Sequence, residues 1–113
     1  MKTERPWGTY QVLLDDDNCK VKKIVVNPGQ VLSYQSHSRR NEDWVVVKGS
    51  GFVILDDKKL SITAGKHIHI PMLTKHRIGC ESGLEPLVFI EVQTGDYFGE
   101  DDITRIDDMY GRC

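Results

Sequence analysis

Apolar residues in this chain come in short runs rich in Val, Ile and Leu, and Gly, Pro, Asn or Asp interrupts them every eight to twelve positions. That rhythm predicts short strands joined by turns. Before residue 100 no segment keeps a helical apolar period for ten residues, so helices are excluded from most of the chain. The predicted strands are 9–14, 20–26, 31–35, 43–49, 51–56, 59–63, 67–71, 76–80 and 86–93, with "DDDN", "NPG", "KGSG", "DDKK", "TAG" and "ESG" as turn signals between them. "DDKK" between two apolar runs predicts a tight hairpin. Only "DDITRIDDMYG" near the end predicts a helical turn, with Ile103, Ile106 and Met109 or Tyr110 on one face. Many short, evenly spaced strands predict an all-β antiparallel sandwich or barrel.

With 113 residues there is material for one core, so residues 1–113 are read as a single domain. Fifteen Lys and Arg against seventeen Asp and Glu leave a net charge of −2, which carries no nucleic-acid or membrane signature. "MKTERPWGTY" has no apolar stretch, and no window approaches the eighteen apolar residues of a membrane span. Cys19, Cys80 and Cys113 are odd in number and lack metal-type spacing. They are expected to be reduced thiols of a cytoplasmic protein.

Gln35, His37, Glu42 and His76 are the candidate ligands. Gln35 and His37 are two apart, so an extended strand projects both from one face, and a barrel strand aims such a pair inward. Nitrogen and oxygen donors without thiolate suit a first-row divalent ion, and three or four protein ligands leave positions for substrate oxygens. A histidine beside a turn is also an ordinary surface residue, so the ligands alone do not decide the matter.

The surrounding spacings resemble the two cupin motifs. Gly29, five residues, Gln35-x-His37, four residues, Glu42, six residues and Gly49 follow the first, with Gln35 where the first His is usual. Gly65, five residues, Pro71, then Leu73 where Gly is usual, His76, and Cys80 where Asn is usual follow the second. Fifteen residues separate the motifs. The chain is thereby identified as a cupin, a double-stranded β-helix or jelly-roll barrel, with the core at about 9–93 and a C-terminal strap at about 94–113. "RPWGTYQVL" at 5–13, "VKKIVVNPGQVLSYQSH" at 21–37 and "R-x-E-x-W-V-V-V-x-G" at 40–49 narrow the resemblance. So do "IPxxxxHRI" at 70–78, "PLVFIEVQTGDYFGEDDI" at 86–103 and "R-x-x-D-x-YGR" at 105–112. Together they resemble the C-terminal domain of type II mannose-6-phosphate isomerases, commonly fused behind a guanylyltransferase domain and here read as a stand-alone unit.

That resemblance implies a metal-dependent interconversion of mannose 6-phosphate and fructose 6-phosphate through a cis-enediol. It implies one divalent transition metal (Zn, Mn, Co, Ni or Fe) on Gln35, His37, Glu42 and His76, and an enediolate or phosphate role for Arg40. Such chemistry needs a Lewis acid, a base within reach of C2 and cations for phosphate. Glu91, Asp101, Asp102 and His69 are candidate bases, with Glu91 the one assigned the catalytic role. Arg39, Arg77, Lys22, Arg105 and Arg112 are candidate phosphate contacts. Trp44 and Tyr34 are candidates for the barrel mouth, Trp44 also for the core. The segment around Tyr97, Gly99, Glu100, Asp101 and Asp102 is read as a packing strap held by an Arg105–Asp108 ion pair.

The family often has histidine where Arg39 and Asp43 stand. Two other readings fit the same residues. One is a non-catalytic sugar-phosphate-binding cupin that partners a separate guanylyltransferase. The other is a different cupin enzyme, an oxygenase or an epimerase. The expected partners are a sugar-phosphate substrate and a second copy of the chain, with "RPWGTY" as the dimer contact, and neither nucleic acid nor membrane.

Overall fold

The computed structural model describes residues 2–81, 83–108 and 110–111, and among them it contains strands and turns but no helix. The strands are β1 (Lys2–Arg5), β2 (Gly8–Asp15), β3 (Cys19–Val26), β4 (Tyr34–Ser36), β5 (Arg40–Lys48) and β6 (Ser50–Leu55), then β7 (Lys58–Thr63), β8 (His67–Ile70), β9 (His76–Cys80), β10 (Leu87–Gly95) and β11 (Thr104–Asp107). They form a six-stranded sheet ordered β1-β2-β3-β10-β5-β8 and a five-stranded sheet ordered β11-β4-β9-β6-β7. Every pairing between these strands is antiparallel. The all-β expectation holds, and no helix here is long and apolar enough to cross a membrane.

Strand periodicity fills the interior from both sheets. Inward positions on β10 are Leu87, Phe89, Glu91 and Gln93; on β5 they are Val46, Trp44, Glu42 and Arg40; on β3, Val26, Ile24 and Lys22. The register sets Leu87 beside Val26, Phe89 beside Ile24 and Val46, and Glu91 beside Lys22 and Trp44. One end of the interior is therefore aliphatic, closed by Val53, Ile62, Ile68, Ile70 and Ile78. Moving along the same strands, the other end becomes polar. Three strands change together, which makes a polar cavity standing on an apolar floor.

The predicted hairpin is present: Leu55 pairs Lys58 around Asp56 and Asp57, whose φ angles of 45° and 70° make it a two-residue turn of the primed kind. Two elements differ from expectation. β1 carries charged residues without apolar alternation, and it forms because its backbone pairs β2. The predicted helical turn near the end is β11 over 104–107, which closes the open edge of β4 through backbone pairing. Met109, part of that expectation, lies outside the described residues. "RPWGTY" forms the turn into β2 and buries Trp7 in the chain's own core, with Arg5 and Pro6 exposed.

Leu73 stands where a cupin usually has Gly, and its φ is +67°, the left-handed region that costs a branched side chain about 1–2 kcal/mol. Its side chain is 70% exposed, so its removal sacrifices little packing. Leu73→Gly is expected to raise stability by about 1 kcal/mol after the extra unfolded-state entropy of Gly is charged against it. Thermal denaturation showing no gain would mean that this turn relaxes around the leucine.

Candidate metal centre

The β4–β5 turn and two strands bring the expected ligands together. His37 follows β4, Glu42 is the second inward residue of β5, and His76 opens β9. All three are buried, and one donor atom from each lies within 4.8 Å of the others. Glu42 Oε2 is 3.2 Å from His37 Nε2, and Oε1 is 3.8 Å from His76 Nε2. Gln35 lines the same cavity from β4. Its amide nitrogen donates to Ser33 Oγ at 3.0 Å, which leaves its oxygen as the donor for a cation.

Backbone carbonyls fix both imidazoles. His37 Nδ1–H donates to the Asp102 carbonyl at 2.6 Å, and His76 Nδ1–H donates to the Thr74 carbonyl at 2.9 Å. A carbonyl only accepts, so the proton belongs on Nδ1 and each Nε2 presents a lone pair. Burial lowers the His37 pKa, with Arg40 adding to the effect against the pull of Glu42, so the neutral ring is favoured. Burial works against the Glu42 carboxylate, yet His76, Arg40 and His37 outweigh it and hold the carboxyl below its usual range. A neutral imidazole lone pair 3.2 Å from a carboxylate oxygen sets acceptor against acceptor. Arg40 supplies the donors that reconcile the two.

Arg40 is the cation within this cluster. Its Nε donates to Glu42 Oε2 at 2.8 Å and its Nη2 to His37 Nε2 at 3.1 Å. Its Nη1 is buried without a hydrogen-bond partner among the described residues. Trp44 Nε1 donates to Glu42 Oε1 at 3.0 Å, while its ring meets His76 edge-on and packs on Phe89. Trp44 thus lies under the site and orients Glu42; it is a core residue that also lines the cavity. The donor set and its orientation by carbonyls fit a divalent transition ion.

Of the candidate bases, Glu91 reaches the cavity. It is buried, accepts from Gln93 Nε2, and has its pKa pushed up to about 7 by burial and the Glu42 charge, with Lys22 and Arg40 opposing. The other three are corrected by their surroundings. Asp102 spends its carboxylate on the Ser38 and Arg39 amides, exposed Asp101 accepts from Tyr97, and His69 points to the outer face, 2.9 Å from Asp43.

The candidate phosphate contacts divide in the same way. Lys22, Arg77 and Arg105 line the cavity. Lys22 pairs with Glu100 and sits over the Tyr10 ring. Arg77 is anchored to the Leu32 carbonyl at 2.8 Å and to Asp107. Arg105, expected to pair with Asp108, lines the cavity, its Nε buried and without a hydrogen-bond partner among the described residues. Arg39 lies outside, paired with Asp96 and stacked on Tyr97, because strand alternation turns it away from inward Arg40. Tyr34 is also outside, bound to Asp57 in the β6–β7 hairpin. Arg112 is not among the described residues. Asp43 faces outward with His67 and His69, so neither departure from the family's histidines touches the cavity.

Sequence reading missed the polar supports: Ser33 behind Gln35, Gln93 beside Glu91, and Glu100 against Lys22. Only Gln93 left a signal, since it stands two residues from Glu91 on one strand. Within the segment read as a strap, the Asp102 carboxylate accepts from Ser38 in the β4–β5 turn, and Glu100 and Ile103 line the cavity. Cys19 and Cys80 are free thiols.

A family model described as mannose-6-phosphate isomerase C-terminal matches residues 1–108. The alginate biosynthesis protein AlgA of Pseudomonas aeruginosa is 45% identical over 108 residues, which is 96% of this chain and 22% of AlgA. A mannose-1-phosphate guanylyltransferase of Klebsiella pneumoniae is 40% identical over 109 residues, 96% of this chain and 23% of its own length. The chain therefore spans less than a quarter of these curated relatives. A conserved protein with a double-stranded β-helix domain from Klebsiella pneumoniae matches with a TM-score of 0.73 at 20% identity, over 86% of this chain and 77% of that one. At that identity the likeness is one of fold, and the fold is the cupin barrel.

Proposed function

The chain belongs to the mannose-6-phosphate isomerase C-terminal family, and on that premise we propose that it is an aldose–ketose isomerase acting on mannose 6-phosphate and fructose 6-phosphate. The observation that carries the reading is the meeting, in one cavity, of the His37–Glu42–His76 cluster with an unpartnered buried N–H of Arg40. Buried donors without partners are costly, and an anionic ligand supplies what they lack. Gln35, His37, Glu42 and His76 would hold one divalent ion. When bound, that ion supplies a Lewis acid for the substrate oxygens at C1 and C2.

The chain's own groups do the rest. The Glu91 carboxylate takes the proton from C2 of the aldose and returns it to C1 through the cis-enediol, while the hydroxyl proton of O2 passes to O1. Arg40 faces the negative charge that develops on the enediolate oxygens. Lys22, Arg77 and Arg105 bind the phosphate, and Trp44 keeps Glu42 oriented. The strap keeps water from the enediol by walling the cavity with Glu100 and Ile103.

Purified chain loaded with Mn, Co, Zn, Ni or Fe is expected to convert fructose 6-phosphate to mannose 6-phosphate. Tight sugar-phosphate binding without turnover for every one of these metals would replace the isomerase reading with a binding one. Arg40→Ala is expected to lower kcat by about 10²-fold, the usual cost of one oxyanion donor, while one metal per chain is retained. Wild-type turnover in that variant would remove Arg40 from the mechanism.

A further inference from the structure

Gln93 stands two positions beyond Glu91 on β10, on the same inward face, with Lys20 of β3 and Glu42 of β5 as its cross-strand partners. β10 is paired on both sides, so the backbone that carries both residues is fixed. The Gln93 side chain is fully buried, and its Nε2 donates to Glu91 Oε1. Its own Oε1 is buried without a hydrogen-bond partner among the described residues. An amide buried with part of its capacity unmet is a costly way to fill space, and methionine would occupy about the same volume at lower cost. What the amide offers and methionine lacks is the bond to Glu91. Glu91 depends on that bond in turn. Lys22 and Arg40, the cations that act on its charge, are bonded to Glu100 and Glu42 instead. Among the described residues Gln93 alone hydrogen-bonds the Glu91 carboxyl and so fixes its rotation.

We propose that Gln93 is the positioning residue of the base: by holding Glu91 Oε1 it leaves Oε2 to take the C2 proton and to return it at C1. This rests on the isomerase reading above and adds which oxygen carries the proton. Glu91 lines the cavity and Gln93 does not, so the oxygen bonded to Gln93 is turned from the substrate and the other is turned toward it. An amide N–H is a donor and cannot face an O–H, so while Nε2 holds Oε1 the proton of the acid form rides on Oε2. The transfer then runs through one atom. The C2–H bond breaks toward Oε2, the O2 hydroxyl proton passes to O1, and the C1–H bond forms from the proton on Oε2. Glu91 ends as the carboxylate it began. With Oε1 free, the proton would be shared between two oxygens, one of them unable to return it. Gln93 acts through Glu91 throughout and never touches the substrate.

Gln93→Met keeps the volume and removes the donor. It is expected to lower kcat about tenfold, with KM for fructose 6-phosphate within about twofold and one metal per chain retained. The rising limb of kcat/KM should move up by about one pH unit. Burial and the Glu42 charge raise Glu91, and with the Gln93 bond gone only Lys22 and Arg40 oppose them. Carbon NMR of the metal-free chain should show the Glu91 carboxyl titrating higher by the same amount. Mannose 6-phosphate deuterated at C2 should deliver less of its label to C1 of the product than it does with wild type, since a proton on Oε1 is lost to water before it can be returned. Gln93→Leu serves the same purpose should Gln93→Met fold poorly. A variant that loses stability while its limb and label transfer stay unmoved would make Gln93 a packing residue and overturn the proposal, as would wild-type kcat in both variants. A wild type without turnover fails the isomerase reading itself and takes this one with it, whereas turnover in wild type with unmoved variants overturns the role of Gln93 alone.

Discussion

Glu42→Gln is expected to abolish stoichiometric metal binding and to reduce isomerase turnover by about 10³-fold or more, because the bound ion supplies several kcal/mol of transition-state stabilisation. Glu42 is the single charged ligand in the cluster, and both of its oxygens are engaged, one toward Arg40 and His37, the other toward Trp44 and His76. The amide keeps the shape and loses the charge. Its first consequence needs no metal. Arg40 is left buried without a carboxylate, and breaking a buried pair from one side costs about 3–5 kcal/mol. Metal-free Glu42→Gln should therefore melt well below wild type.

The double variant Glu42→Gln, Arg40→Met separates the two effects. Removing both charges should recover much of the lost stability, while metal binding stays absent. Metal analysis and thermal shift provide the check: ligand present at about 100 times its Kd adds about 2.7 kcal/mol of stability. Mn or Co should raise the wild-type melting temperature and leave both variants unmoved. One equivalent of metal retained by Glu42→Gln would remove Glu42 from the ligand set.

What the sequence made legible follows from distance along the chain. Period-two alternation over "RNEDWVVV" already groups Arg40, Glu42 and Trp44 on one face, and the same rule read backwards excludes Arg39 and Asp43. Applied to "HIHI", it turns His67 and His69 outward because Ile68 and Ile70 are needed inside. The positive φ angles of Gly29, Gly49 and Gly65 explain why the motif spacing is written in glycines at all. What stayed hidden rests on register between distant strands. Nothing local pairs Lys22 with Glu91, which meet only when β3 aligns with β10, or lets Asp102 orient His37 across 65 residues. β1 and β11 were missed or misread because edge strands are held by backbone pairing, which leaves little apolar pattern.

Glu91→Gln is the second large effect, and it should differ from Glu42→Gln by leaving the metal in place. Loss of a positioned general base costs about 10²–10⁴-fold, so kcat should fall within that range while KM changes little. The raised pKa gives two further readouts. Catalysis requires the carboxylate, so kcat/KM of wild type should climb with pH through a value at or below about 7, since a cation beside Glu42 offsets the charge that raises Glu91. The glutamine variant should lack that limb. Stability of the metal-free chain should move the opposite way. The folded value near 7 lies above the ordinary 4.5, so the folded state holds the proton more tightly and stability drains as pH rises from about 4.5 to about 7. Glutamine mimics the protonated acid, and Glu91→Gln should therefore be more stable than wild type above pH 7, by about 3 kcal/mol at most, with the gain vanishing below about 4.5. A variant that turns over normally yet shows the stability gain would leave Glu91 as a buried acid and give the proton transfer to another group.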